Sequence, residues 1–266
     1  ASSGLAPARA SEPPGWSAPA GVRATGGKDE HVILLTLLLA AVGTADLVRP
    51  ENRAPSRSQA VGAAVVAAIV LVLLSTGLAI GAIAWLIVPT ILAFVIGWML
   101  FAPVGMVQTD RPWPVASLVA AALVALAVPQ PTVGDGWLVR WYAGLDVPSL
   151  ADVPVEQFVL GAACVVYLVE SANIVVRLML IGTGPSVLAT ENTLQGGRIL
   201  GPIERVFVLG MALAGQFAAL SVVVAAKGIL RFPEISKDTA GGTRAEYVLV
   251  GSFVSLAQAL VLVPLF

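Results

Sequence analysis

Three properties of the chain point to an all-α fold, a polytopic integral membrane helix bundle of about seven transmembrane helices. Its 266 residues are 58% hydrophobic, against about 45–50% apolar in ordinary soluble domains. Only 12% are charged, half the usual share of about 25%, too few to cover the surface of a water-soluble protein. The apolar residues also gather into blocks close to the length of about 20 residues that crosses a hydrocarbon core. These counts exclude a typical cytosolic enzyme and a disordered chain. A net charge of −1 sets up no field that would draw in nucleic acid, so no nucleic-acid partner is expected.

Residues 1–30 are rich in Pro, Ala, Gly and Ser and read as an extramembrane tail. Such a segment cannot by itself bury enough apolar area to offset the entropy of ordering it. The transmembrane helical domain takes up residues 31–266. Its first span covers 31–48. Residues 60–106 are too long an apolar run for one helix and predict a hairpin that turns near Gly81. Within it, Gly77-x-x-x-Gly81 has the spacing of close helix packing, read here as internal. A short Ala/Val-rich span follows at 113–129. The connection 130–155 carries Trp137, Trp141 and Tyr142. Aromatic rings favour the headgroup zone, which predicts an interfacial or re-entrant segment. Spans at 156–183 and 200–226 contain embedded charges, with Gly196, Gly197 and Gly201 marking the break before the latter. The last span is 246–266. Orientation is divided. Basic residues favour a cytoplasmic N-terminus by a small margin, while the acidic 130–155 connection favours the reverse.

Charges inside apolar spans carry the most information, because an ionised group at a helix centre costs about 2.5–3.5 kcal/mol on insertion scales. Glu170, Asn173 and Arg177 fall within about 60° of one another on a helical projection and predict a polar stripe. Glu204, Arg205 and Gln216 lie on the following span. Antiparallel neighbours joined by 184–199 would bring Arg177 level with Glu204, and Glu170 level with Gln216. These six residues form the expected intramembrane polar cluster. Its bland reading is structural glue between helices, and its functional reading is an ion, proton or substrate site. Lys227, Arg231, Trp137 and Trp141 are expected at lipid headgroups or the interface. Asp46 near the end of the first span reads as solvated or as a capping partner. One cysteine, Cys164, and one histidine, His31, leave no disulfide, cysteine cluster or histidine-based chemistry. No catalytic residue, metal or cofactor is therefore expected.

The residues of the C-terminal third have a family resemblance. They comprise Gly197-Arg198-Ile199-Leu200-Gly201-Pro202-Ile203-Glu204-Arg205, then Gly215-Gln216, then Ala225-Ala226-Lys227-Gly228-Ile229-Leu230-Arg231-Phe232, then Glu246-Tyr247-Val248-Leu249-Val250-Gly251-Ser252. This series resembles the uncharacterised bacterial membrane-protein family known as domain of unknown function 3307. Members of that family carry G-x-x-I-G-x-L-E-R, G-Q, A-A-K-S-I-x-R-F and E-Y-x-L-I-G-T blocks in this order. The N-terminal part diverges: Asp46 is kept, but Ala41 stands where the family has a His. The resemblance implies a bacterial inner (plasma) membrane location, a shared helix pair and no known activity. It sets Glu204, Arg205, Gln216, Lys227, Arg231 and Glu246 together as a group.

Three functions are compatible with these residues. The first is a non-catalytic accessory subunit, partnered by membrane lipids and other membrane-protein subunits. The second is a small transporter or channel built on the polar cluster. The third is a lipid-acting enzyme, which has no nucleophile–base pair in its favour.

Overall fold

The computed structural model describes residues 32–49, 57–102, 113–180, 197–236 and 243–266, with side chains described at 32–49, 58–102, 113–180, 200–229 and 249–266. The 1–30 tail and His31 lie outside the described residues. Ten α-helices and two short 3-10 turns make up the regular structure among them, with no strand. The helices are α1 (Ile33–Val48), α2 (Arg57–Gly77), α3 (Ala84–Phe101), α4 (Trp113–Ala127), α5 (Trp137–Ala143), α6 (Val155–Val169), α7 (Ser171–Leu180), α8 (Gly197–Leu213), α9 (Phe217–Ser236) and α10 (Thr243–Val261).

The all-α expectation holds. The count of about seven spans does not. Among the described residues, two helices, over Ser58–Gly77 and Ala84–Phe101, are long and apolar enough to cross a membrane, or three if the bent pair α6–α7 is one span. Among the described residues the other apolar runs yield apolar helical stretches of 10–17 residues. The first makes a 16-residue helix, α1, about 24 Å long. The fourth makes a 15-residue helix, α4, about 22 Å long. The run 200–226 is no single helix, because α8 ends at Leu213 and α9 starts at Phe217 after a turn at Gly215, φ +68°.

Helix α1 is the axis of the bundle. Every residue from Ile33 to Gly43 is buried, as are Ala45 and Asp46. It packs most extensively on α6 and α2, and also meets α3, α4 and α7. A helix apolar all round belongs in such a position. Its two threonines fit there because each hydroxyl turns back on its own helix: Thr36 donates to the Val32 carbonyl (2.8 Å) and Thr44 to Ala40 (2.7 Å). Gln130 closes two helix ends at once. Its side-chain oxygen accepts from the Leu34 amide in the first turn of α1 (2.9 Å). Its nitrogen donates to the Ala125 and Val128 carbonyls at the end of α4.

The α2–α3 hairpin turns where expected. Gly81 adopts φ +75°, a conformation that suits a residue without Cβ, and Ala79 also has positive φ at +49°. Of the two glycines spaced four apart, only Gly77 packs. A Cβ there would sit 2.8 Å from Leu138 Cβ, whereas one at Gly81 would meet nothing. The 130–155 connection thus lies across the end of α2. Its Gly134 amide donates to the Leu78 carbonyl (2.9 Å). Gly136 lies so close to Gly77 that a side chain would run into the Gly77 carbonyl oxygen. Tyr142 secures the far side by donating to the Val153 carbonyl (2.9 Å). Desolvation raises its phenol pKa above the ordinary value.

Gly43 sets the α1–α6 separation. A Cβ at that position would lie 2.9 Å from the Tyr167 backbone nitrogen and 3.0 Å from the Val166 carbonyl carbon. Backbone on both sides leaves no flexible group to give way. Gly43→Ala is expected to destabilise the fold by about 1–3 kcal/mol through overpacking. Gly97→Ala, where a Cβ meets nothing within 4 Å, is expected to change stability by less than about 0.5 kcal/mol in the unfavourable direction. Equilibrium unfolding of both variants in mixed micelles measures the contrast.

Candidate functional site

The polar groups converge on a helix that breaks. Helices α6 and α7 meet at Glu170, whose backbone leaves the helical region (φ −122°, ψ −50°), and they bend by 44° there. The Asn173 amide bonds to the Glu170 carbonyl (2.9 Å) rather than to that of Val169, four residues back. Carbonyls so released inside an apolar bundle need new donors. The Asn173 side chain supplies one to Val169 (3.1 Å). Arg205, reaching across from α8 and only 2% exposed, donates from Nε to the Leu168 carbonyl (3.1 Å). Its Nη2 donates to Asn173 Oδ1. Gln258 of α10 donates to the Ala172 carbonyl (3.3 Å) and accepts from the Tyr167 hydroxyl (3.1 Å).

A second group of side chains joins this one at Ser171. Asp46, fully buried at the end of α1, accepts from Ser171 Oγ (2.6 Å) and from Trp98 Nε1 of α3 (3.1 and 3.3 Å). Arg49, three residues on, lies 3.6 Å from the Asp46 carboxylate. Its Nη2 donates to the carbonyls of Met99 and Ala102, closing the C-terminal end of α3. Its Nε and Nη1 have no hydrogen-bond partner. One carboxylate thereby ties together α1, α3 and α7.

The expected six-residue cluster is brought together only in part. Arg205 and Asn173 meet directly. Glu170 is half-buried at the break, within electrostatic reach of Arg177, Asp46 and Arg205 and bonded by the Asn173 side chain. Arg177 is exposed. The expected Arg177–Glu204 pair does not form. Glu204 is paired with Lys227 of α9 (2.6 Å), because the turn at Gly215 folds α9 back along α8 and puts those two residues level. Lys227 is correspondingly an ion-pair partner, not a free headgroup ligand. Gln216 lies exposed in that turn and cannot meet Glu170. The polar stripe is likewise interrupted, since the break removes Glu170 from the helical register of α7. Antiparallel pairing across the two segments does hold: Gly201 faces Asn173 while Arg205 faces Leu168. Trp137 and Trp141 are exposed on α5. The side chains of Arg198, Arg231 and Glu246 lie outside those described.

Asp46 reads from the sequence as solvated or as a capping partner, and its burial between three helices overturns the solvated reading. The residues missed altogether are Arg49, Trp98, Ser171, Tyr167 and Gln258. One signal was present in the sequence: an Asp–Arg pair at i, i+3 closing a wholly apolar segment.

A cavity of about 160 Å³ between α3 and α4 is lined by Phe94, Gly97, Trp98, Phe101, Trp113, Pro114 and Ser117. It is apolar and touches the polar network only through Trp98. Among the described residues, no three His, Cys, Asp or Glu side chains converge as a metal site would need. No protein-family model, curated protein or solved structure matches the chain.

Replacing Asp46 by Leu leaves the Arg49 charge buried without a counter-ion and is expected to destabilise the protein by about 3–5 kcal/mol. Asp46→Asn keeps an acceptor for Trp98 or Ser171 and is expected to be milder; unfolding in mixed micelles ranks the two. A double-mutant cycle on Glu204→Ala and Lys227→Ala is expected to give a coupling of about 0.5–2 kcal/mol, while Arg177→Ala with Glu204→Ala is expected to be additive within about 0.5 kcal/mol.

Proposed function

We propose that the chain is a non-catalytic, multi-pass membrane subunit that serves as a structural or accessory component of a larger membrane assembly. One observation carries this reading. The polar side chains packed at the helix break, Ser171, Asn173, Arg205 and Gln258, are engaged with other side chains or with backbone carbonyls of α6 and α7. Such an arrangement specifies a fold and leaves little for a solute to bind. The close approach at Gly43, with α6 backbone against α1, supports a dry interior beside the break. The α8–α9 hairpin adds to the reading: residues 213–219 at its tip are all exposed, as apolar Leu213 and Phe217 would be when held by lipid or a neighbouring subunit. The resemblance of roughly residues 170–260 to a bacterial membrane-protein family of unknown activity agrees with an inner-membrane location for this assembly.

A second reading has its own observation. Discontinuous helices recur at ion and substrate sites of transporters, intramembrane carboxylates mark ion and proton paths, and Glu170 sits at such a break. In this reading the chain is a small transporter or channel, and Glu170 is the residue that meets the permeating species.

Two experiments separate these readings. Mild-detergent extraction of the full chain from its native membrane, followed by native mass spectrometry, is expected to show a defined complex with other membrane proteins. A monodisperse single chain would count against the subunit reading. Proton and cation flux through purified protein in sealed vesicles is expected to equal that of empty vesicles. Flux that disappears in Glu170→Gln would establish the transporter instead.

A further inference from the structure

The tryptophans mark two levels along the bundle. At one end, Trp85 stands in the first turn of α3 and is 84% exposed. Trp137 and Trp141, also exposed, sit on α5, which is clamped onto the same end by the contact of Trp137 and Leu138 with Gly77. At the other end, Phe101 and exposed Trp113 meet edge to face, with ring centroids 5.2 Å apart. Between these levels the outer face of α3 is apolar: Leu86, Ile96 and Leu100 are exposed there. Tryptophan combines an apolar ring with one N–H donor, which suits the boundary between headgroups and hydrocarbon. Trp98 is the contrast, since its N–H is spent on Asp46 and its ring is buried.

The rise along α3 from Trp85 to Phe101 is about 24 Å at 1.5 Å per residue. The 16 residues of α1 give about 24 Å and the 15 residues of α4 about 22 Å, while α9 and α10 are longer at 20 and 19 residues. Helix α2 is longer at 21 residues, but it opens with polar Arg57, Ser58 and Gln59, and its apolar part starts only at Ala60. A typical hydrocarbon core is about 30 Å thick.

We propose that Trp85, Trp137 and Trp141 at one end and Trp113 at the other are the interfacial anchors of a chain built for a hydrocarbon slab of about 24 Å. Its lipid partner is a thin or locally thinned bilayer. Helix α5 is then an in-plane element lying on the surface of that slab, with Arg140 between its two indoles. The shortness of α1 and α4 is a match to thickness. Helices too short for a standard bilayer draw the lipid thinner around them, and the mismatch acts over each ångström of difference. This inference rests on the membrane reading above.

The test uses the full chain in phosphatidylcholine vesicles with bromine placed at different depths along the acyl chain. Fluorescence from Trp85, Trp137, Trp141 and Trp113, each read as the component lost in its Trp→Phe variant, is expected to be quenched most by shallow bromines. Trp98 is expected to be quenched least at every depth. The unaltered chain is expected to melt at its highest temperature in lipids with acyl chains of about 14 carbons, and progressively lower as the chains lengthen beyond about 18. Strongest quenching of the anchors by mid-chain bromines, or a melting optimum at the longer chains, would overturn the proposal and leave the membrane reading intact. Failure of the protein to float with the vesicles, with no quenching at any depth, would overturn both.

Discussion

A helix that stops inside an apolar bundle must find donors for the carbonyls it releases. At Glu170 the α6–α7 helix does stop, and the rest of the core is arranged around meeting that need. The donors come from side chains: Arg205 of α8 to Leu168 and Asn173 of α7 to Val169. Gln258 adds a bond from α10 to the Ala172 carbonyl in the first turn of α7. A hydrogen bond from a charged donor is worth about 1.5–3 kcal/mol, more than a neutral one. An arginine also reaches two acceptors from one planar group, and Arg205 uses that capacity on a backbone carbonyl and an amide oxygen.

The break also places Ser171 where it can bond Asp46, and this bond links the two halves of the molecule. On one side stand α1, α2, α3 and α4, closed at their ends by Gln130 and Arg49. On the other stand α8, α9 and α10. Asp46 and Arg49 exchange a salt bridge and also hold Trp98 and the last carbonyls of α3. Replacing such a buried pair with apolar residues often leaves stability unchanged or raises it, whereas removing one partner is costly. Its significance therefore lies in specificity. A carboxylate with two defined donors, Ser171 and Trp98, and Arg49 as counter-ion restricts the relative placement of α1, α3 and α7 more than apolar packing alone would.

The helical class was legible in the sequence because apolar blocks of membrane length leave few alternatives. The α2–α3 turn was legible at Gly81, where a positive φ requires a residue of that kind. Span number was not, since a run such as 200–226 stays apolar through Gly215 and nothing in its hydropathy announces the turn. The same turn defeated the depth argument for Glu204: sequence distance from the 184–199 connection pointed to Arg177, but the reversal delivered Lys227. Arg205 and Asn173 were legible as polar residues in apolar helices. Their partners were not, because a backbone carbonyl released by a break leaves no mark on residue types. Asp46 was misread for the opposite reason: a carboxylate at the end of an apolar segment ordinarily reaches water, and only the tertiary approach of Trp98 and Ser171 encloses it.

The dependence of the break on Arg205 can be measured as a distance. Spin labels at Ala162 on α6 and Met179 on α7, both exposed, report the angle between the two helices by pulsed electron resonance. In the unaltered sequence the account requires one narrow distribution, set by the 44° bend. Arg205→Met, which preserves bulk but removes the donors, should broaden that distribution or move it toward the longer distance of a straight helix. An identical narrow distribution in the variant would show that the bend holds without its arginine and would contradict the account.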